Sequence, residues 1–236
     1  MRKIMRKTKY LAGGTIFLLF AFSLAYTQGM GRGKARGQKG SLYSEEYVKN
    51  LPKETLNTDE TTSILHMREE EKLARDVYNK LYEYWKLPVF SNIARSEQRH
   101  MDMVGLLIEK YELRDPVKTD EPGKFDDPKM QELYDKLITE GKKSLNDALK
   151  VGCLIEDLDI YDLNEALGKV DNQDIKYVYT NIRRGSYNHL NSFYNTLKRY
   201  GSTYSPQYIS QEEFNRIISS RVMGGPGRQR GRGFAR

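Results

Sequence analysis

The stretch that most constrains this chain is Ser96-Glu97-Gln98-Arg99-His100, set inside the longer run Phe90 to Tyr111. At alternating steps of three and four, Phe90, Ile93, Glu97, His100, Val104, Leu107 and Tyr111 share one helical face, apolar except for the Glu and the His. A helix that lays this face on a core must bury both polar groups. Helix bundles present metal ligands in this way. A hydrogen-bonded polar pair satisfies the same pattern, so the other helices have to decide.

Three more helices are predicted, each with polar groups in the middle of its own apolar stripe. The first runs from Asp59 to Trp85, before Leu87-Pro88, with Ile64, Met67, Glu71, Ala74, Tyr78, Leu81 and Trp85 in line. Glu70 lies on a flanking stripe with Leu73 and Val77, so periodicity prefers Glu71 without excluding its neighbour. The second helix, carrying Glu97 and His100, is expected to start near Ser91 as N-cap. After a long connection, Asp127-Pro128 opens a short helix to Glu140, suited to the crossover between two halves of a bundle.

The third long helix runs from Ser144 to near Gly168, with Leu145, Leu149, Gly152, Glu156, Asp159 and Leu163 in line. Gly152 costs about 1 kcal/mol against Ala in a helix, a cost that close approach of another helix or a bound group would explain. The fourth spans about Asn172 to Tyr200, with Ile175, Val178 or Tyr179, Ile182, Ser186, His189, Phe193 and Thr196 or Leu197 in line. A last short helix opens with Ser210-x-x-Glu213, a capping box.

The stripes thus offer Glu71, Glu97, His100, Glu156, Asp159 and His189 to one core. A lone buried carboxylate would be expensive or protonated, and four together repel unless cations lie among them. Oxygen and imidazole donors without a thiolate set suit Fe, Mn or Zn, and this number of ligands fits two ions in a bundle. His66, off the stripe, reads as a surface residue, and Cys153 as a buried small hydrophobe. With a single cysteine, no intramolecular disulfide is available.

Charge separates the body from its ends. The net charge of +7 conceals nine Lys/Arg and no acid in residues 1–40, and five Arg and no acid in 221–236. The segment 41–220 holds 25 basic and 32 acidic residues, a net charge of −7. Residues 1–28 read as an export signal: a basic start, the uncharged run Leu11 to Tyr26, and the small residues of Ser23-Leu24-Ala25. That run is short of the roughly 20 residues that span a bilayer, which favours cleavage over an uncleaved anchor. The expected order is signal at 1–28, Gly/Arg-rich linker and lead-in at 29–58, four-helix bundle at 59–201, short helix at 202–220 and basic tail at 221–236. Tails of this composition attract a membrane or cell-wall surface, or simply keep a chain soluble; the acidic body argues against nucleic acid.

Several of these motifs resemble a known family. Glu71-Lys72-Leu73-Ala74-Arg75-Asp76-Val77-Tyr78 resembles the E-x-x-A-R-x-x-Y stretch of rubrerythrin-type ferritin-like proteins, Ser96 to His100 contains their E-x-x-H, and Glu156 takes the place of their third-helix carboxylate. REEEKLARDVY, SEQRHM, IEDLDI and RGSYNHL together resemble the ferritin-like family of domain of unknown function 2202, over about residues 60–200. The resemblance implies an all-α ferritin-like four-helix bundle with a carboxylate-bridged di-metal centre, and Glu71, Glu97, His100, Glu156 and His189 as ligands. The chain departs from the wider pattern at Ser186, where a fourth-helix carboxylate is expected. Asp159, one turn beyond Glu156, is the candidate replacement, and a single-metal site is the alternative.

Two functional readings follow. One is an exported protein whose iron or manganese ions react with oxygen or peroxide or oxidise Fe(II), with an external electron donor and a homodimer among its expected partners. The other is a non-enzymatic metal-binding or structural bundle tethered to an anionic surface by its tails. Tyr78 is placed to hydrogen-bond the site in the first reading and to serve as a core aromatic in either.

Overall fold

The computed structural model describes residues 45–219, all of whose regular structure is helical. The proposed signal, most of the linker and the basic tail lie outside the described residues. The helices are α1 (45–50), α2 (Thr58–Trp85), α3 (Pro88–Lys110), α4 (Pro128–Gly141), α5 (Leu145–Leu167), α6 (Gln173–Arg199) and α7 (Gln211–Ser219). Among the described residues, no helix is long and apolar enough to cross a membrane.

Local chemistry sets the ends. Asn57 caps α2 in a full capping box with Glu60. Lys86, left-handed at φ 54°, closes α2, and Pro88 at once starts α3. The N-cap is Leu87, so the one expected at Ser91 is four residues late. Proline at the first helical position needs no N–H partner, and the Ser91 hydroxyl instead donates to the Pro88 carbonyl at 3.2 Å. Asp127 and Ser144 cap α4 and α5 as expected, each side chain accepting from a backbone N–H of the first turn. At α7 only half of the capping box forms. Ser210 accepts from the Glu213 N–H, but the Glu213 carboxylate is drawn away to the Tyr187 hydroxyl at 3.0 Å.

The tight connection makes α2 and α3 one antiparallel hairpin, and α5 and α6 form the other. The hairpins pack through α3 on α6 and α2 on α5, while α4 lies on α2 and α5 and carries the chain across between them. This is a four-helix bundle with a crossover, as the periodicity predicts. Gly152 is where α5 meets an aromatic of α6: a Cβ there would sit 2.7 Å from Phe193 Cδ1. Phe193 in turn packs against Tyr78 and Phe90, with ring centroids 5.0 and 5.5 Å away.

The apolar interior is in two parts. One contains Leu73, Val77, Phe90, Ile93, Leu149 and Phe193; the other contains Ile64, Met67, Val104, Leu107, Leu163 and Ile182. Along each of the four long helices the polar positions of the stripe fall at the break between them. A polar layer therefore cuts across the middle of the bundle.

Candidate metal centre

Each long helix feeds this layer. Helix α2 brings Glu71, α3 brings Glu97 and His100, α5 brings Glu156 and Asp159, and α6 brings Ser186 and His189. The side chains of Glu71, Glu97 and Glu156 are 3% exposed or less, and those of His100 and His189 only 12% and 10%. Glu97 lies between the two imidazoles. One of its carboxylate oxygens is 2.7 Å from His100 Nδ1 and the other 2.8 Å from His189 Nδ1. His100 Nδ1 is also 3.3 Å from Glu71, and His189 Nδ1 3.4 Å from Glu156. The rings lie face to face with centroids 5.4 Å apart.

These approaches are at ion-pair distance but miss the angular geometry of a good hydrogen bond. His100 Nδ1, His189 Nδ1, Glu97 Oε1, Glu71 Oε1 and Asp159 Oδ1 are all sealed from solvent and have no hydrogen-bond partner. Buried polar atoms are nearly always satisfied, so five orphans in one layer call for an occupant. Glu97, His100 and His189 each place one donor atom within 4.8 Å of the others. Oxygen and imidazole donors converging in a dry site suit a hard or borderline divalent cation, so the residues present fit the metal expected from the sequence.

Other residues orient the donors. The Tyr78 hydroxyl donates to Glu156 Oε1 at 2.6 Å, leaving Glu156 Oε2 toward His189. Asp159 accepts a short hydrogen bond from Ser186, the α6 residue standing where the wider pattern has a carboxylate. Its other oxygen is the orphan. Asp159 thus reaches the layer, though it makes no direct approach to either imidazole.

The electrostatics reflect crowding in a dry space. Burial, with the charges of Glu97 and Glu156, raises the Glu71 carboxyl to about 7 despite His100 beside it. Burial also raises Glu156 and Asp159, helped by neighbouring carboxylates. Glu97 goes the other way, because the two imidazoles outweigh its own burial and hold it below the usual carboxylate range. Burial disfavours the cationic His189, but Glu97 and Glu156 more than reverse this and take it to about 9. Cys153, wholly buried, has its thiol pushed up by burial, as expected of an inert core residue.

One expectation changes and one choice left open is resolved. His66 is only partly exposed, not a free surface residue: 21% of its side chain is accessible and its Nε2 lies 3.0 Å from Glu70. Glu70 and Glu71, which periodicity left in competition, point to different places, Glu71 into the layer and Glu70 to His66.

Sequence reasoning also missed two buried polar anchors. Asp76 binds Lys72 Nζ at 2.6 Å, Arg75 Nε at 2.9 Å and the Gly123 N–H at 2.9 Å, fixing the long connection before α4. Asp157 accepts from the Tyr204 hydroxyl at 2.7 Å and from the N–H groups of Gln207, Tyr208 and Ile209, fixing the segment before α7. The signal for Asp157 was the run Val151 to Ile155: a helix apolar all round is covered on all sides, so an acid next to it must have partners.

Comparison with known proteins agrees with the resemblance to domain of unknown function 2202. The family model described as uncharacterized protein domain DUF2202 matches residues 60–221. The chain belongs to the DUF2202 family. It is 57% identical over 175 residues to the uncharacterized protein MJ0754 of Methanocaldococcus jannaschii, a match covering 74% of this chain and 95% of that protein. The crystal structure of the hypothetical protein MJ0754 from Methanococcus jannaschii superposes with a TM-score of 0.72 at 56% identity, covering 73% of this chain and 99% of that one. The match to DUF2202 includes all the residues of the polar layer.

Proposed function

We propose that this DUF2202 protein is a ferritin-like metalloprotein that holds two divalent ions, iron or manganese, in the polar layer and uses them in oxygen, peroxide or Fe(II) redox chemistry. One observation carries the reading. The Nδ1 atoms of His100 and His189 lie 2.7 and 2.8 Å from Glu97 without hydrogen-bond geometry, as donors sharing a third partner would. Formal charge supports two ions. Four carboxylates against two imidazoles cannot neutralise one another, whereas two divalent cations with neutral imidazoles balance Glu71, Glu97, Glu156 and Asp159 completely.

Bound metal would supply redox equivalents and Lewis acidity. The chain's own residues prepare the place. Glu97, between the imidazoles, would hold the metal together with His100 and His189; Glu71 and Glu156 would complete the set from α2 and α5. Ser186 steers Asp159, which stands in for the carboxylate missing from α6. Tyr78 holds one oxygen of Glu156 and so orients the other. The two apolar clusters above and below keep water out of the layer. With Cys153 buried, electrons would come from an external donor. Residues 1–28, which read as an export signal, and the basic ends support a location outside the cytoplasm at an anionic membrane or wall surface.

The test is metal analysis of the full chain after anaerobic reconstitution with Fe(II), Mn(II) or Zn(II), beside a Glu97→Ala/His100→Ala variant. About two ions per chain are expected, lost in the variant, followed by oxygen or peroxide consumption by the iron or manganese form. Failure to retain any of the three metals would overturn the reading. Metal without turnover would leave the non-enzymatic bundle.

A further inference from the structure

The third histidine lies in a carboxylate cluster of its own, outside the layer. His66 and Glu70 are one turn apart on α2, and Asp162 faces them from α5. Each offers a donor atom within 4.8 Å of the other two. Glu70 Oε1 is 3.0 Å from His66 Nε2, while Glu70 Oε2 is shut off from solvent and has no hydrogen-bond partner. His66 is the more open member, with 21% of its side chain exposed against 11% for Glu70.

We propose that His66, Glu70 and Asp162 form a second divalent-cation site, distinct from the polar layer and nearer solvent. Three features support it. Two carboxylates and an imidazole are a donor set for a hard or borderline divalent ion. They come from two helices already packed together, so the site is assembled by the fold itself. A proton shared between Glu70 and Asp162 would join one oxygen of each and leave His66 out, whereas a cation engages all three side chains at once. The site shares no ligand with the layer, yet the backbone links them: Glu70 adjoins Glu71, and Asp162 is one turn beyond Asp159. A partly exposed site in this position is also where an ion from solvent would first meet carboxylates on its way inward.

The test is titration of the metal-free full chain with Mn(II), with free ion read by electron paramagnetic resonance. The wild type should bind one more ion per chain than either His66→Ala or Asp162→Asn. Glu97→Ala/His100→Ala should lose the ions of the layer and keep this one. That arm separates the two ideas: absence of layer metal in the wild type defeats the proposed function while leaving the second site measurable. Equal Mn(II) numbers and affinities in the wild type, His66→Ala and Asp162→Asn would overturn the second site. The two substitutions sit on different helices, so if circular dichroism shows that one fails to fold, the other reads the same loss.

Discussion

Gly185 offers a test of the proposed metal centre from outside its proposed ligand set. It lies mid-way along α6, where alanine would ordinarily stabilise a helix by about 1 kcal/mol. A Cβ at this position would instead run into the imidazole of His100, clashing with Nε2 and standing 2.6 Å from Cε1. Carbon atoms pack at about 3.5–4.0 Å, so the ring must move by about 1 Å. Ligand sets tolerate displacements of about 0.5 Å. Gly185→Ala should therefore weaken metal binding about 10- to 100-fold, the usual cost of disturbing a ligand's support.

The metal-free protein gives a second reading with a change of sign. Overpacking costs about 1–3 kcal/mol, against which the helix gain returns about 1, so Gly185→Ala alone should be neutral or destabilising by up to about 2 kcal/mol. In a His100→Ala background the obstacle is gone. The same substitution should then stabilise by about 1 kcal/mol, or about 2–4 °C in Tm for a domain of this size. Thermal unfolding of the four proteins of the cycle, with calorimetric Mn(II) titration, measures both effects. Equal effects of Gly185→Ala in the two backgrounds, or unchanged metal affinity, would refute the packing of His100 on Gly185 as the device that aims Nδ1 at Glu97.

Three further outcomes follow. Tyr78→Phe removes the donor to Glu156 Oε1 and should cost the metal-free fold about 1.5–3 kcal/mol while lowering metal affinity and leaving stoichiometry intact, as chemical denaturation and metal titration would record. Asp157→Ala leaves a phenol and three backbone N–H groups to find water; because that segment can swing out, the expected cost is about 3 kcal/mol, with hydrogen exchange accelerated selectively over residues 204–217. Burial raises Glu60, but the N–H groups of Asn57, Asp171 and Asn172 outweigh it and hold the carboxyl below its ordinary 4.5. Its stabilisation is therefore fully present above pH 4.5 and lost as pH falls through the lower folded value, so Glu60→Gln should flatten the acid limb of a stability–pH curve.

What could be read from the sequence follows from what helical periodicity reports, which is the face a residue occupies. Glu71, Glu97, His100, Glu156 and His189 were legible because each interrupts an apolar stripe, and all five do meet at the layer. The bundle and its crossover were legible for the same reason, since helix length, Asp127-Pro128 and the long connection before it leave little other topology. Periodicity does not report which partner waits on a face. Asp157 adjoins Glu156 and Asp76 lies five residues beyond Glu71, but both answer to backbone N–H groups of remote segments, and no spacing within a helix announces Gly123 or Ile209. His66 was misread because it sits off the main stripe, on the side where α2 meets Asp162 of α5.

The division between these two kinds of buried acid is the strongest internal argument for an occupant in the layer. Asp76, Asp157 and Glu60 are as deeply buried as Glu71, Glu97 and Glu156, yet each of the first three accepts two or more hydrogen bonds of good geometry. The fold therefore satisfies buried carboxylates wherever a helix end, loop or cation is at hand. In the layer it supplies Tyr78 and Ser186 and then stops, with orphaned atoms on Glu71, Glu97, Asp159, His100 and His189. A static polar network would be expected to close on itself, as the other three do, because a half-satisfied one is worse than an apolar core. Donors left open from all four helices toward one place, between two apolar clusters that exclude water, are what a cation requires and what a purely structural core would eliminate.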